Sequence, residues 1–249
     1  MKTRLISTFL ALMLCACSSN EGTDNKESSK QIENKEQQIT AKSSKLHQYM
    51  SKEQICDALS INDIQQLFQT TAEIKSAAFD FRSRYTCSYT WDKTDKTERE
   101  QLMFSNSMQV AQGKAEKRPM RLKTPTNQIT VTLLNSKKTP ANFIPPKLNN
   151  KQLEEQIKNV KDTAAKKLSK QQQELGGNMA NNMVENLMIQ GNQNQAIDDV
   201  GDAAYWTSVG SGGLNILVGD VEIYVGPMIA DTESEDIENA KKIATVLLN

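Results

Sequence analysis

The stretch Leu214 to Val225 constrains the fold more than any other part of the chain. Leu214, Ile216 and Val218 recur at every second position, Gly219-Asp220 interrupts them, and Val221, Ile223 and Val225 resume the same period. A two-residue loop with Gly first fits a type II′ turn, whose twist matches the strands on either side. That turn pairs Val218 with Val221, Ile216 with Ile223 and Leu214 with Val225 on one face of a hairpin. An apolar sheet face needs a cover. Thr232-Glu233-Ser234-Glu235 is a helix start, and Ile237, Ala240, Ile243, Ala244 and Leu247 behind it form an apolar stripe. Ala203 to Thr207 is expected to supply the strand before the hairpin.

Further signals lie upstream. Ser51 to Gln54 resembles a capping box opening a short helix with Ile55, Cys56 and Leu59. Ser60 caps a second short helix with Ile61, Ile64, Leu67 and Phe68 on one face. Thr86 to Trp91 alternates, with Cys87, Tyr89 and Trp91 inward, which predicts a half-buried strand. Leu102 to Ser105 and Ile129 to Leu134 are expected as two more strands, and 112–127 and 137–149 as Pro-broken loops. Residues 150–190 are helical in pattern. Leu153, Ile157, Val160, Ala164 and Leu168 form a narrow stripe that continues, around Gly176-Gly177, through Leu175, Met179, Met183 and Leu187. Its first half is expected to pack on the domain and its second half to form a looser flap, with an inducible contact for a ligand or partner over 175–190 as the alternative. The fold class that follows is α+β: an antiparallel sheet with helices packed on one face, plus a long helical insertion over 147–195.

The start of the chain has a different character. Lys2 and Arg4 precede an apolar run from Leu5 to Leu14. The run is shorter than the roughly 20 residues needed to cross a bilayer, and it fits an export signal over residues 1–16. Leu14-Cys15-Ala16-Cys17 resembles the lipobox of bacterial lipoproteins. The resemblance implies cleavage before Cys17, acylation of Cys17 and attachment to a membrane of the cell envelope. Ser18, where an inner-membrane sorting signal has Asp, favours the outer membrane by the same resemblance. An ordinary secreted chain with a chance cysteine at its cut site is the bland alternative. Ser18 to Ser44 is polar apart from Ile32 and Ile39, too little to offset chain entropy, so a tether over 17–44 and a single domain over 45–249 are expected.

With Cys15 removed and Cys17 acylated, Cys56 and Cys87 remain, and an even pair in an oxidising compartment predicts a disulfide. Closing a loop of that size stabilises by about 3–4 kcal/mol on the chain-entropy model. Lys+Arg and Asp+Glu are 30 each, which gives no electrostatic case for nucleic acid. The single histidine, His47, and the lack of a CxxC pair argue against a metal site. Asp198, Asp199 and Asp202 lack calcium-loop spacing and fit a turn set by Gly201. No cofactor motif and no nucleophile elbow is present; Gly210 to Gly213 has no helix behind it. Two candidate contact sites remain. Tyr205 and Trp206 point to opposite faces of their strand, so one is core and the other is a candidate pocket residue. Arg118 and Arg121 sit in a basic run, Lys114 to Lys123, suited either to an anion or lipid head group or simply to solvent.

The segments Cys56-Asp57-Ala58-Leu59-Ser60, Cys87-Ser88-Tyr89-Thr90-Trp91, Gly201 to Trp206 and Leu214 to Gly219 resemble a group of small bacterial lipoproteins of unassigned function. Relatives of that group include sensor-type extracellular domains and the PsbP-like α/β fold. The resemblance covers about residues 51–92 and 198–249 and supplies no catalytic residues. It implies a periplasmic or surface domain that binds or senses something; with no catalytic motif in the chain, a non-catalytic ligand-binding, sensing or envelope-interaction module is expected. The alternative is a hydrolase of envelope material lacking a recognisable motif.

Overall fold

The computed structural model describes residues 42–111, 124–167 and 184–249. Cys17, the export signal and most of the tether, Arg118, Arg121, and Leu168 to Met183 of the helical stripe lie outside the described residues.

Seven strands form one antiparallel sheet: β1 (Lys75–Phe81), β2 (Arg84–Asp92), β3 (Thr126–Asn135), β4 (Gln195–Ile197), β5 (Ala203–Thr207), β6 (Gly213–Val218) and β7 (Val221–Met228). Their spatial order is β1-β2-β3-β7-β6-β5-β4. The sheet is therefore two meanders, β1-β2-β3 and β4-β5-β6-β7, which meet at a seam where Val131 faces Val225. The C-terminal hairpin has the register its sequence predicts: Val218 opposite Val221, Ile216 opposite Ile223 and Leu214 opposite Val225. Gly219 holds the turn at φ 58°. β5 occupies the predicted span.

One face of the sheet is apolar across its five central strands. The row Trp206, Leu214, Val225, Val131 and Cys87 runs through five adjacent strands, and all five side chains are buried. Four helical elements cover this face. They are α1 (residues 42–47), a 3₁₀ turn (Ile55–Asp57), α2 (Ile61–Phe68) and α7 (Glu233–Leu248), contributing Leu46, Ile55, Leu59, Ile64, Ala240, Ile243, Ala244 and Leu247 to the core. Ser60 and Asp63 close a reciprocal capping box on α2. The disulfide Cys56–Cys87, with Cα atoms 5.1 Å apart, fixes the 3₁₀ turn to β2. Beside it the Tyr89 hydroxyl donates to the carbonyls of Cys56 and Leu59.

The opposite face is polar over β2 and β3, where Thr86 and Thr132 share a hydrogen bond of 3.0 Å. Over β5 and β6 it is covered by α4 (Pro140–Phe143), whose Phe143 packs edge-on against Tyr205 at 5.4 Å. Between these regions the Tyr224 ring lies across Gly213 and Gly226, where an added Cβ would meet the ring at 2.2 and 2.7 Å. The helical insertion comprises α5 (Asn150–Lys167) and α6 (residues 184–191). Reciprocal hydrogen bonds between the Asn192 side chain and the Leu148 backbone join its two ends, and Lys161 pairs with Glu185 at 2.6 Å.

Several expectations are corrected. Leu102 to Ser105 is not a strand but the middle of α3 (Lys96–Ala111), where Arg99 pairs with Asp95 and Lys96 with Asp92, each four residues apart. A three-residue apolar run does not distinguish helix from strand. The segment expected to be only a loop over 137–149 contains α4, capped by Thr139 and Asn142. The Ser51 box opens a 3₁₀ turn rather than an α-helix. Residues 42–44 belong to α1, with Ser43 buried, so ordered structure begins before the expected end of the tether. Val160 of the α5 stripe is exposed. β1 has no counterpart in the sequence reading.

A groove at one end of the sheet

The strongest candidate site lies where β2 ends, β3 begins and β7 passes into α7. Each wall has a local cause. The last residues of β2 leave Trp91 on the apolar face, against Phe68 of α2 with ring centroids 6.1 Å apart. The next residue but one, Lys93, is held by its backbone N–H donating to the Pro125 carbonyl at 3.0 Å, and its side chain is nearly buried. Asp95, immediately before α3, and Arg99 in its first turn follow. On the other side, Asp236 is fully buried on the inner stripe of α7. Its Oδ1 accepts the backbone N–H groups of Ile229 and Ala230 at 3.2 and 3.0 Å. This fixes the β7–α7 loop, so Asp231 faces Arg99.

The result is a charge cluster across the groove. The Arg99 guanidinium donates to both Asp231 oxygens at 2.9 Å and, through Nε, to Asp95 at 2.7 Å. Lys93 adds a longer contact to Asp231 at 3.3 Å. Two-point pairing of this kind fixes orientation as well as contributing energy. Arg99 holds the carboxyls of Asp231 and Asp95 below the usual range, and its own pKa is raised by hydrogen bonding to Asp231 and then Asp95. Beyond the cluster the α7 wall carries Glu235, Glu238, Asn239 and Lys242. The volume is about 1090 Å³, at the upper end of what small-ligand sites occupy.

The site residues expected from sequence fall elsewhere. Tyr205 and Trp206 do point to opposite faces, and both are buried. Trp206 lies in the core and donates its indole N–H to Glu233 at 2.7 Å. Tyr205 lies under Phe143, and burial raises its hydroxyl pKa. Neither lines the groove. Asp198, Asp199 and Asp202 form a turn, as expected: Gly201 takes φ 63°, and Asp202 accepts the Gly219 N–H at 2.7 Å. Among the described residues there is no cluster of three or more metal-ligating side chains, and no helix long and apolar enough to cross a membrane. The groove residues themselves were missed. The available signal was Asp236, an acid at the position four before Ala240 on an otherwise apolar stripe.

Fold and groove together define an α+β domain with a single helix-covered antiparallel sheet and an open, charge-lined cleft at one sheet end. Comparison with family models, with curated proteins and with solved structures finds no match to this chain.

Proposed function

We propose that this chain is a bacterial envelope lipoprotein, anchored through acylated Cys17, whose domain binds a small ligand or an envelope protein in the groove without catalysis. The observation that carries this reading is the closed state of the cluster. Arg99 has its fork filled by Asp231 and its Nε by Asp95, which leaves a rigid rim suited to recognition. Trp91 and Phe68 supply an aromatic floor beneath it. The lipobox resemblance at Leu14 to Cys17 supports the anchor, with the outer membrane favoured by Ser18.

The two tryptophans provide a direct test, because Trp91 lines the groove and Trp206 lies in the core. With 5-fluorotryptophan incorporated, the protein gives two fluorine resonances, which are followed while muropeptides, envelope polysaccharides and soluble envelope proteins are added. A saturable shift of the Trp91 signal with the Trp206 signal unmoved is expected. Release of soluble fragments from envelope material, abolished by Asp231→Asn, would instead establish a hydrolase. The anchor is tested separately: Cys17→Ala is expected to abolish lipid labelling, and persistent labelling would refute that assignment.

A further inference from the structure

The two ends of the sheet differ. The groove lies at the end where β2 and β7 finish. At the other end are the β1–β2 turn, the β6–β7 turn and the segment after β3. The chain enters the domain at this second end, because α1 is held there. Ser43 and His47 both hydrogen-bond Asp220 in the β6–β7 turn, and Leu46 is buried in the core. The side facing the incoming chain is therefore opposite the groove.

The β1–β2 corner of this end has an unusual surface. Phe79 and Phe81 project from the outer face of edge strand β1 and are 48 and 67 % exposed. The turn residues Arg82 and Ser83 take φ of 51° and 60°, which lifts Arg82 back over the Phe81 ring at 4.9 Å. Arg84 faces Phe81 across the turn, exposed, and with Arg82 it makes no ion pair among the described residues. The nearby acids are Asp80, which is exposed, Glu222, which pairs with Lys138, and Asp220, which is engaged by α1. Exposed aromatic rings among cations have the composition of a membrane-interface contact: the rings enter the head-group zone and the cations meet anionic lipid.

We propose that the β1–β2 corner, Phe79, Phe81, Arg82 and Arg84, docks on the anionic phospholipid surface to which the chain is tethered. This rests on the anchor reading above. The 25 residues from Cys17 to the start of α1 span at most about 85 Å, so an acylated chain keeps this end within reach of its own bilayer. Docking there turns the groove away from the lipid, toward soluble ligands.

The test uses residues 17–249 with Cys17→Ser, so lipid attachment plays no part. Among the described residues every buried core side chain lies in 46–247, so the protein without its export signal retains that core. Phe81→Trp places an exposed indole at the corner, whereas Trp91 and Trp206 are only 5 and 1 % exposed. With vesicles of phosphatidylcholine containing 30 % phosphatidylglycerol, the corner indole is expected to shift to the blue and be quenched by brominated acyl chains. Pure phosphatidylcholine should give at least tenfold weaker partitioning. Adding Arg82→Glu and Arg84→Glu should weaken anionic-vesicle binding by at least about 25-fold, taking roughly fivefold per basic residue. An indole that emits identically with and without anionic vesicles overturns the proposal. So does a concentration-dependent dimer, lost on Phe81→Ser, in a chain that ignores vesicles; that outcome assigns the corner to a second copy. Failure of Cys17 acylation would show in lipid labelling and leave this vesicle result readable.

Discussion

Asp236→Ala should separate the groove from the rest of the fold. The carboxylate is fully buried, and its Oδ1 accepts two backbone N–H groups, from Ile229 at 3.2 Å and Ala230 at 3.0 Å. Removing the acceptor strands both donors, and each buried unpaired donor costs about 1–3 kcal/mol. Ile229 and Ala230 are only half buried, so water can recover part of that. The net loss is therefore placed at about 2–3 kcal/mol, which for a domain of this size lowers Tm by roughly 4–12 °C. Asp236→Asn keeps an oxygen in the same place and should lose less than half as much. Urea unfolding followed by circular dichroism measures both. The backbone amides of residues 229–231 should also exchange at least tenfold faster in the alanine variant, while those of Val131 and Ile223 remain slow. If the alanine variant lies within 0.5 kcal/mol of the parent, or alanine and asparagine cost the same, Asp236 does not hold the groove wall in the way argued here.

Two further outcomes follow from the same structure. Non-reducing peptide mapping should recover the Cys56–Cys87 crosslink, and replacing both cysteines with alanine should cost about 3–4 kcal/mol of stability by equilibrium unfolding. Acid sensitivity should run through Asp231, whose folded-state pKa Arg99 depresses. Its contribution is therefore complete above the unfolded value of about 3.9 and is lost as pH falls through the lower folded value. Arg99→Gln should be less stable near pH 6 yet lose less on titration from pH 5 to 2, by a modest margin because Asp231 is partly exposed. An unchanged acid profile in that variant would count against the pairing.

What the sequence revealed was mostly the buried face of the sheet. Strands with one solvated side carry period-two alternation, so β2 and β3 were legible, and the β6–β7 hairpin was legible down to the register of Val218 with Val221. The caps of α2 and α7 were legible because Ser60 and Thr232 each precede an acid three residues on. β1 was not, because all but one of its residues are exposed and its turn is Arg82-Ser83, with no Gly or Asn to announce positive φ. α3 was misread because Leu102, Met103 and Phe104 are exposed, so their apolar run marks no buried face. The groove was illegible for a different reason. Asp95 and Arg99 are four positions apart, but their partner Asp231 is 132 positions from Arg99, and only the sheet order brings it near. Tyr205 and Trp206 drew attention as adjacent aromatics on opposite faces; the outward one is Tyr205, and it lies covered rather than lining a pocket. The cover over it, Phe143, comes from a segment whose prolines had suggested nothing but loop.

The seam between β3 and β7 sets the order in which the molecule can be completed. Each meander makes its contacts locally, whereas the seam joins Asn135 to Val221 across the whole helical insertion. Until β7 is in place, β3 carries an unpaired edge with Ile129, Val131 and Leu133 beside it, a template on which another chain can add. Closing the interval is slow because the contact is distant, but its entropic cost rises by only about 0.6 kcal/mol for each doubling of the intervening length. The insertion between Leu148 and Asn192 is thus nearly neutral for final stability while governing how long the half-built sheet stays open. Lengthening it should raise aggregation during refolding well before it lowers the melting temperature.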